Sequence, residues 1–404
     1  MRATDPKHHY FNMYEPAGGP LPQLAFLWPA LAAASVGEIA EAIAKQFVDL
    51  AVGSENGPAL NEPNWATPNT VALELKAVRL RDFATTCEGR PILVCAPFAL
   101  HAATIVDLAP GHSLVAALRD AGLRRVFVTD WRSADEDMRF LGIDDYLANL
   151  NVLVDQLGST VDLIGLCQGG WIALLYAARF PAKIRKLVLA GAPIDIAAEP
   201  SPLSTLADAT PLALFYELVK LGDGRILGQK VSKFWGPESL NSNEVHQVLQ
   251  KMESADSSAF ARVEALFRDW YAGTVNLPGT YFLEVAEKLY KHNELAKGTF
   301  IALGQKVDLT TVRVPIFLLA ARDDELVAPE QLFATEHLVG TPGHQVFKEM
   351  APCRHLGLFV GKAILDEFWP RIARWLVEPV YKRSVGLPPP VDGAAALSNA
   401  EPFN

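Results

Sequence analysis

Six short apolar runs rich in β-forming residues recur along the chain, and stretches with helical spacing separate them. The runs are RPILVCAPF (90–98), RRVFVTDW (124–131), TVDLIGL (160–166), IRKLVLAGAP (184–193), VPIFLLAARDD (314–324) and HQVFKEMAP (344–352). Strands that are apolar on both faces and alternate with helices are typical of a parallel sheet covered on both sides. The pattern therefore predicts an α/β fold with a mostly parallel central sheet.

The interval between the fourth and fifth runs is too long for an ordinary connection between neighbouring strands. It is rich in aromatic residues and has helical patterning. We therefore predict an inserted, mainly helical cap over residues 195–305, within a core formed by residues 70–194 and 306–380. A cap of this kind is expected to cover the active site.

The two ends of the chain differ from this core. Residues 1–69 are predicted to form an N-terminal helical extension, and the proline-rich residues 381–404 a disordered tail. The apolar run LAFLWPALAAASV (24–36) is too short to span a bilayer, and no secretory signal pattern precedes it. The sequence thus predicts a cytoplasmic protein that is not transmembrane.

Charge and cysteine content exclude several classes of function. The formal net charge is −10, which disfavours a general nucleic-acid binder because phosphate neutralisation needs clustered basic residues. The four cysteines are far apart and form no CxxC pair, so neither a disulfide framework nor a metal site is predicted. No cofactor is expected.

The segment GLCQG (165–169) has the G-x-nucleophile-x-G pattern. It follows a predicted strand and precedes a helical run, which is the context of a strained turn that exposes a nucleophile above the sheet. Cys167 is therefore the candidate nucleophile, with a buried structural cysteine as the alternative. The backbone N–H of Gln168 would then stabilise an oxyanion, because it follows the nucleophile and opens a helix.

An acid and a base are expected after later strands, in the chain order nucleophile, acid, base. Asp323 and Asp324 end the fifth apolar run, and His355 follows the sixth. A surface acid pair and a packing histidine are the alternatives. The loop after the first run is expected to complete the oxyanion hole through Phe98 and Ala99, with His101 lining the site.

A cysteine in this turn changes the chemistry that the site favours. A thiol forms a thioester on acylation, and transfer between two thioesters is nearly isoenergetic. Cysteine therefore suits an enzyme that takes an acyl group from a thioester such as acyl-CoA and passes it to a hydroxyl.

Four separated segments resemble the poly(3-hydroxyalkanoate) synthases and, as their relatives, the intracellular polyester depolymerases of the cysteine type. They are GLCQGG (165–170), DLAPGHSLVAALRDAGLRRVFVTDWRSAD (107–135), LYKHNELAKGTFIALGQKVDLTTVRVPIFLLAARDDELVAP (289–329) and RHLGLFVG (354–361). The resemblance implies an α/β-hydrolase fold. It also implies a triad of Cys167, Asp324 and His355, in which Asp324 rather than Asp323 aligns with the family's acid.

Other segments depart from the synthase pattern. FALHAAT (98–104) and VTDW (128–131) look more like the depolymerases. Three functions stay open: a synthase-like acyltransferase using 3-hydroxyacyl-CoA, a depolymerase or esterase using the same triad, and a non-catalytic granule-bound protein. A polyester granule surface and a second copy of the chain are candidate partners. Trp171 and Trp270 are expected to bind the acyl chain, with core packing as the alternative.

Overall fold

The central element is an eight-stranded sheet in the part of the chain that the computed structural model describes, residues 64–379 without 159, 233–241 and 251–256. Its strands are β1 (Thr70–Glu74), β2 (Val78–Asp82), β3 (Ile92–Cys95), β4 (Val126–Trp131), β5 (Val161–Leu166), β6 (Ile184–Ala190), β7 (Ile316–Ala321) and β8 (Val346–Ala351). The order across the sheet is β1-β2-β4-β3-β5-β6-β7-β8. Strand β2 is antiparallel to both neighbours, and the remaining neighbours are parallel. This is the predicted α/β-hydrolase fold.

The six apolar runs each contain one of the strands β3 to β8, so these predictions are confirmed. Strands β1 and β2 were not predicted. Four of the five β1 residues are exposed, because β1 forms the edge of the sheet. Strand β2 is buried at Val78, Leu80 and Arg81 but carries three charged residues. A search for uniformly apolar runs does not detect strands of this kind.

Helices connect the strands and fill the long interval before β7. In chain order they are α1 (Leu114–Asp120), α2 (Ile143–Gln156), α3 (Gln168–Arg179), α4 (Pro202–Ala209), α5 (Leu212–Leu221), α6 (Gly228–Ser232), α7 (Ser242–Leu249), α8 (Ser257–Ala272), α9 (Gly279–Glu284), α10 (Pro329–Phe333), α11 (Thr335–Leu338), α12 (Gly357–Val360) and α13 (Lys362–Val377). Single 3₁₀ turns lie at Ala103–Val106, Glu136–Met138, Pro181–Lys183, Leu309–Thr311 and Gly343–Gln345.

The interval between β6 and β7 carries helices α4 to α9, and a π-helix at Val285–Lys291 continues directly from α9. The described residues of this interval are therefore mainly helical, as the predicted fold class requires, and the bounds 195–305 of the cap stay a prediction. A two-residue strand pair also lies here, Arg225–Ile226 with Leu277–Pro278, which the sequence analysis did not predict. A second such pair, Ile301–Ala302 with Gln305–Lys306, closes the interval, and Asp107–Ala109 pairs with His112–Ser113 before α1.

The predictions for the chain ends fall mostly outside the described residues. Of the predicted helical extension only residues 64–69 are described, and they contain no helix. The predicted tail, 381–404, lies beyond the described part. Between residues 64 and 379, with the gaps given above, no helix combines the length and apolar character needed to cross a bilayer.

Candidate active site

Cys167 occupies a sharp turn between the end of β5 and the start of α3. Its φ of 48° and ψ of −120° place a residue with a side chain in a backbone region that such residues rarely adopt. Conformations of this kind cost about 1–3 kcal/mol and persist where surrounding contacts enforce them. Here the Cys167 N–H donates to Ala190 O at 2.9 Å, and Cys167 O accepts from Gly170 N at 2.9 Å.

Glycines around the turn allow very close backbone approach. A Cβ added at Gly169 would lie 2.2 Å from Cys95 O, and one at Gly165 would lie 2.6 Å from Gly170 Cα. No side chain fits at either distance. The two glycines of the G-x-C-x-G pattern therefore let α3 pack directly on β3 and β5, which fixes the position of Cys167.

Asp324 and His355 follow β7 and β8 and meet beside the turn. The Nδ1 atom of His355 lies 2.8 Å from Asp324 Oδ2 and 3.0 Å from Oδ1. The Asp324 carboxylate also accepts hydrogen bonds from the N–H groups of Leu326 and Val327, at 2.9 and 2.8 Å. The neighbouring Asp323 is exposed. The structure thus places Asp324 rather than Asp323 next to the imidazole.

The His355 ring is buried and strongly polarised by its neighbours. Burial opposes the protonated form, but the charges of Asp324 and Cys167 outweigh it and hold the pKa of His355 well above its ordinary value. Its second nitrogen, Nε2, is buried, and a hydrogen bond between His355 and the Cys167 side chain also raises this pKa. Because Asp324 engages Nδ1, this second nitrogen is left to exchange a proton in the cavity that His355 shares with Cys167.

That cavity has a volume of about 30 Å³. It is lined by Pro97, Ala99, His101, Ala102, Ile105, Cys167, Gln168, Leu203, Trp270, Leu326, Val327, His355, Leu356 and Phe359. Leu203 and Trp270 belong to the insertion, so the insertion forms part of the wall around the half-buried Cys167. A space of this size corresponds to about one water molecule. An acyl chain therefore requires movement of the covering side chains.

The predicted oxyanion residues lie on two sides of this cavity. Gln168 is the first residue of α3, where backbone N–H groups have no partner within the helix. Ala99 lines the cavity. The Phe98 side chain is 2% exposed and points into the core, where its ring stacks on Tyr146 with centroids 4.7 Å apart. Only the backbone of Phe98 is thus available for an oxyanion hole.

His101 and Trp270 both line the cavity and contact each other, with ring centroids 4.8 Å apart. Burial lowers the pKa of His101 to about 4, so its ring is neutral at pH 7. Its Nδ1 atom lies 3.2 Å from Gly273 O, which requires the proton on that nitrogen. The Trp270 Nε1–H donates to Ala102 O at 2.9 Å and ties the insertion to the loop after β3.

The structure does not place Trp171 on this cavity. Its side chain is fully buried within the core, and its Nε1–H donates to Gln168 Oε1 at 2.7 Å. The expectation that Trp171 binds the acyl chain is corrected accordingly. Its position three residues after Gln168 on α3 brings the indole back over the start of the helix.

Sequence reasoning missed Leu203 and Tyr290. Leu203 contributes to the cavity wall, and Tyr290 Oη accepts a hydrogen bond from Gln168 Nε2 at 2.7 Å. Both residues lie in the insertion. The helical patterning of its sequence does not show how its helices pass over the sheet. Tyr290 does lie inside LYKHNEL, a segment quoted above for its family resemblance.

A second, larger cleft lies at the end of β4. Its volume is about 630 Å³, and Trp270 and Ala102 line both this cleft and the smaller cavity at Cys167. The cleft walls carry Arg79 and Arg132 together with Asp130 and Asp269. Trp270 thus separates the thiol from a wider space. In the described ranges, no group of three or more His, Cys, Asp or Glu side chains could hold a metal ion.

Comparisons with known proteins bear on the family of this chain. Residues 66–365 match the family described as "Protein of unknown function (DUF3141)". The poly(3-hydroxyalkanoate) polymerase subunit PhaC of Synechocystis sp. is 30% identical over 344 residues, covering 81% of this chain and 89% of that protein. The corresponding subunit of Haloferax mediterranei is 24% identical over 323 residues, covering 77% of this chain and 64% of that protein. This chain therefore spans less than two thirds of the Haloferax relative.

A structural comparison matches the monoacylglycerol lipase of Paleococcus ferrophilus. The TM-score is 0.49 at 16% sequence identity, covering 74% of this chain and 98% of the lipase.

Proposed function

This chain belongs to the poly(3-hydroxyalkanoate) polymerase family and to the DUF3141 family, and we propose that it is a cysteine acyltransferase that forms polyester from 3-hydroxyacyl-CoA thioesters. One observation carries the proposal. Cys167, held in a strained turn, shares a water-sized cavity with His355, whose Nδ1 is held 2.8 Å from Asp324 Oδ2.

Acylation begins when the Cys167 thiolate attacks the carbonyl carbon of the CoA thioester. The resulting oxyanion is stabilised by the Gln168 backbone N–H and by the backbone at Phe98 and Ala99. The bond from the carbonyl carbon to the CoA sulfur then breaks, and CoA leaves with the proton of the His355 imidazolium. The acyl group is now a thioester on Cys167.

Transfer uses the same groups in the reverse sense. His355, now neutral at Nε2, takes the proton from the hydroxyl at the end of a growing chain. The hydroxyl oxygen attacks the acyl-Cys167 carbonyl, an ester forms, and the Cys167 thiolate is released with the imidazolium restored. Asp324 keeps Nδ1 protonated and stabilises the charged ring in both steps.

Exclusion of water decides between ester formation and hydrolysis. The acyl-Cys167 thioester must survive until a hydroxyl end reaches it, and a cavity of about 30 Å³ under Leu203 and Trp270 leaves little room for water beside it. The same small volume means that substrate entry requires the insertion to move. We therefore assign the insertion the role of a cover that opens for substrate.

Hydrolysis of polyester is the second candidate function. It is favoured by His101, which lies in the cavity wall and belongs to the depolymerase-like segment FALHAAT. A depolymerase would use the same triad to cleave an ester and pass the acyl group to water. For either reaction, we propose that the protein is cytoplasmic. We also propose that it binds the surface of polyester granules and pairs with a second copy of the chain.

One assay separates the two functions. Purified protein is mixed with 3-hydroxybutyryl-CoA, and separately with amorphous polyester granules, while free CoA thiol, soluble hydroxy acid and polymer mass are followed. The proposal predicts CoA release matched by polymer growth. CoA release with only free hydroxy acid, or acid released from the granules alone, would replace the synthase assignment with the hydrolytic one. Cys167→Ala serves as the inactive control.

A further inference from the structure

Both polar atoms of the Gln168 side-chain amide are hydrogen-bonded. Its Oε1 accepts from Trp171 Nε1–H at 2.7 Å, and its Nε2 donates to Tyr290 Oη at 2.7 Å. Because an indole N–H can only donate, the orientation of the Gln168 amide is determined by Trp171. The three residues are 2%, 0% and 5% exposed, so water does not replace either bond.

Gln168 is also the residue whose backbone N–H is proposed above to stabilise the oxyanion. It follows Cys167, begins α3 and lines the cavity at the thiol. Because both polar atoms of its amide are hydrogen-bonded, the Gln168 side chain restricts rotation of the Gln168 backbone amide. An oxyanion donor is effective only when its direction is set before the reaction, because reorientation during the reaction costs energy.

Tyr290 reaches this point from the insertion rather than from the sheet. It lies in the π-helix Val285–Lys291, where the wider turn alters the direction of the side chains relative to an α-helix. Single π-helical turns are frequently found at functional sites. Tyr290 does not line the cavity, and its hydrogen bond to the site is the one with Gln168. The charge of Cys167 also acts on the Tyr290 hydroxyl, as it does on that of Tyr281 in the same insertion.

We propose that Tyr290 is a positioning residue that fixes the Gln168 side chain, and through it the direction of the oxyanion-stabilising N–H, during acylation of Cys167. This inference rests on the proposed acyl transfer. It predicts that the Tyr290 hydroxyl affects the formation of the tetrahedral oxyanion and has no effect on reactions of Cys167 that form none.

Tyr281 offers a matched control within the same insertion. It is also buried, and its hydroxyl has no hydrogen-bond partner among the described residues. Tyr281→Phe and Tyr290→Phe each remove one buried hydroxyl and leave the ring in place. Only the second change removes the hydrogen bond to Gln168.

The test measures two reactions of Cys167 in each variant. Acylation by 4-nitrophenyl acetate and by 3-hydroxybutyryl-CoA passes through an oxyanion, whereas alkylation by iodoacetamide does not. For Tyr290→Phe we expect kcat for acylation to fall about tenfold, with KM and the alkylation rate at each pH within about twofold of wild type. Tyr281→Phe should match wild type in both reactions.

A double-mutant cycle keeps the test decisive if Tyr290→Phe alters the fold. Gln168→Met retains the backbone N–H and removes both side-chain hydrogen bonds, so adding Tyr290→Phe to it should cause no further loss. Three results would each overturn the inference: equal losses from Tyr290→Phe in both backgrounds, an unchanged kcat in Tyr290→Phe alone, or a parallel fall in alkylation.

A different result would refute the proposed function. If the nitrophenyl ester acylates the wild-type protein and the CoA thioester does not, the chain is not the proposed acyltransferase, and the nitrophenyl ester still tests the role of Tyr290.

Discussion

The Oδ2 atom of Asp324 lies 2.8 Å from Nδ1 of His355, and each side chain is only 1% exposed. Two N–H groups of the following turn, those of Leu326 and Val327, also donate hydrogen bonds to the carboxylate and fix its orientation. Burial of the ring lowers the pKa of His355, but the Asp324 charge outweighs it and favours the imidazolium close to Cys167. Because Asp324 engages Nδ1, Nε2 is the nitrogen left to exchange a proton.

Replacing Asp324 with Asn should lower kcat for acylation by about 10³–10⁴-fold, because the amide no longer stabilises the imidazolium or selects its tautomer. Asp323→Asn is the matched control, since Asp323 is adjacent in sequence but exposed. It should stay within about twofold of wild type. A larger loss from Asp323→Asn than from Asp324→Asn would show that the acid is misassigned by one position.

The Asp324→Asn substitution should also lower the pKa of His355. The Asp324 charge is the largest contribution that raises this pKa, and burial of the ring opposes it. In wild type the imidazolium therefore persists to higher pH than in an ordinary histidine. In Asp324→Asn it should lose its proton at lower pH, as followed by nitrogen NMR of the imidazole. A His355 pKa that stays the same or rises would contradict the account.

Gly169→Ala should abolish folding or strongly destabilise the protein, because the added Cβ would lie 2.2 Å from Cys95 O, a backbone atom that cannot move freely. Overpacking of this kind lowers the free energy of unfolding by about 1–3 kcal/mol or more. Gly343→Ala is the control, since its nearest neighbour would be a Glu336 oxygen at 3.7 Å. Denaturant unfolding measures both. Equal stability of the two variants would refute the close approach of α3 to β3.

Trp270→Ala should increase the share of free hydroxy acid among the products formed from 3-hydroxybutyryl-CoA. Trp270 separates the cavity at Cys167 from the cleft of about 630 Å³, so its removal should admit water to the acyl-enzyme. Trp270→Phe keeps a large ring and should change the product ratio less. If both variants form polymer and acid in the wild-type ratio, Trp270 does not protect the thioester.

Most of the strands that carry the site could be predicted because they are buried on both faces. Strands β3 to β7 are buried along nearly their whole length, whereas β8, at the far edge of the sheet, is buried only at its ends, Val346 and Ala351. Cys167, Asp324 and His355 follow β5, β7 and β8 in the expected order. Parallel strands end at the same edge of a sheet, so positions far apart in the sequence meet there. Strand β1 lacks this signal because four of its five residues are exposed, and β2 lacks it because charged residues interrupt its apolar positions.

The contacts between the insertion and the site could not be derived from the sequence in the same detail. An aromatic residue in the insertion has the same composition signal whether it lines the cavity, as Trp270 does, or packs elsewhere. The hydrogen bond between Gln168 and Tyr290 joins residues 122 positions apart and depends on how the π-helix directs one side chain. Local patterns contain no information about such a contact, and tertiary packing alone determines it.

The central claim is that Cys167 carries the acyl group, and intact-protein mass spectrometry with peptide mapping tests it most directly. After rapid mixing of wild-type protein with 3-hydroxybutyryl-CoA and quenching in acid, the account predicts a hydroxybutyryl adduct, extended by further hydroxybutyryl units, on the peptide that contains Cys167. The Cys167→Ala variant should carry none. An adduct that persists in Cys167→Ala, for example on the buried Cys353, or CoA release by wild type without any adduct on Cys167, would contradict the account.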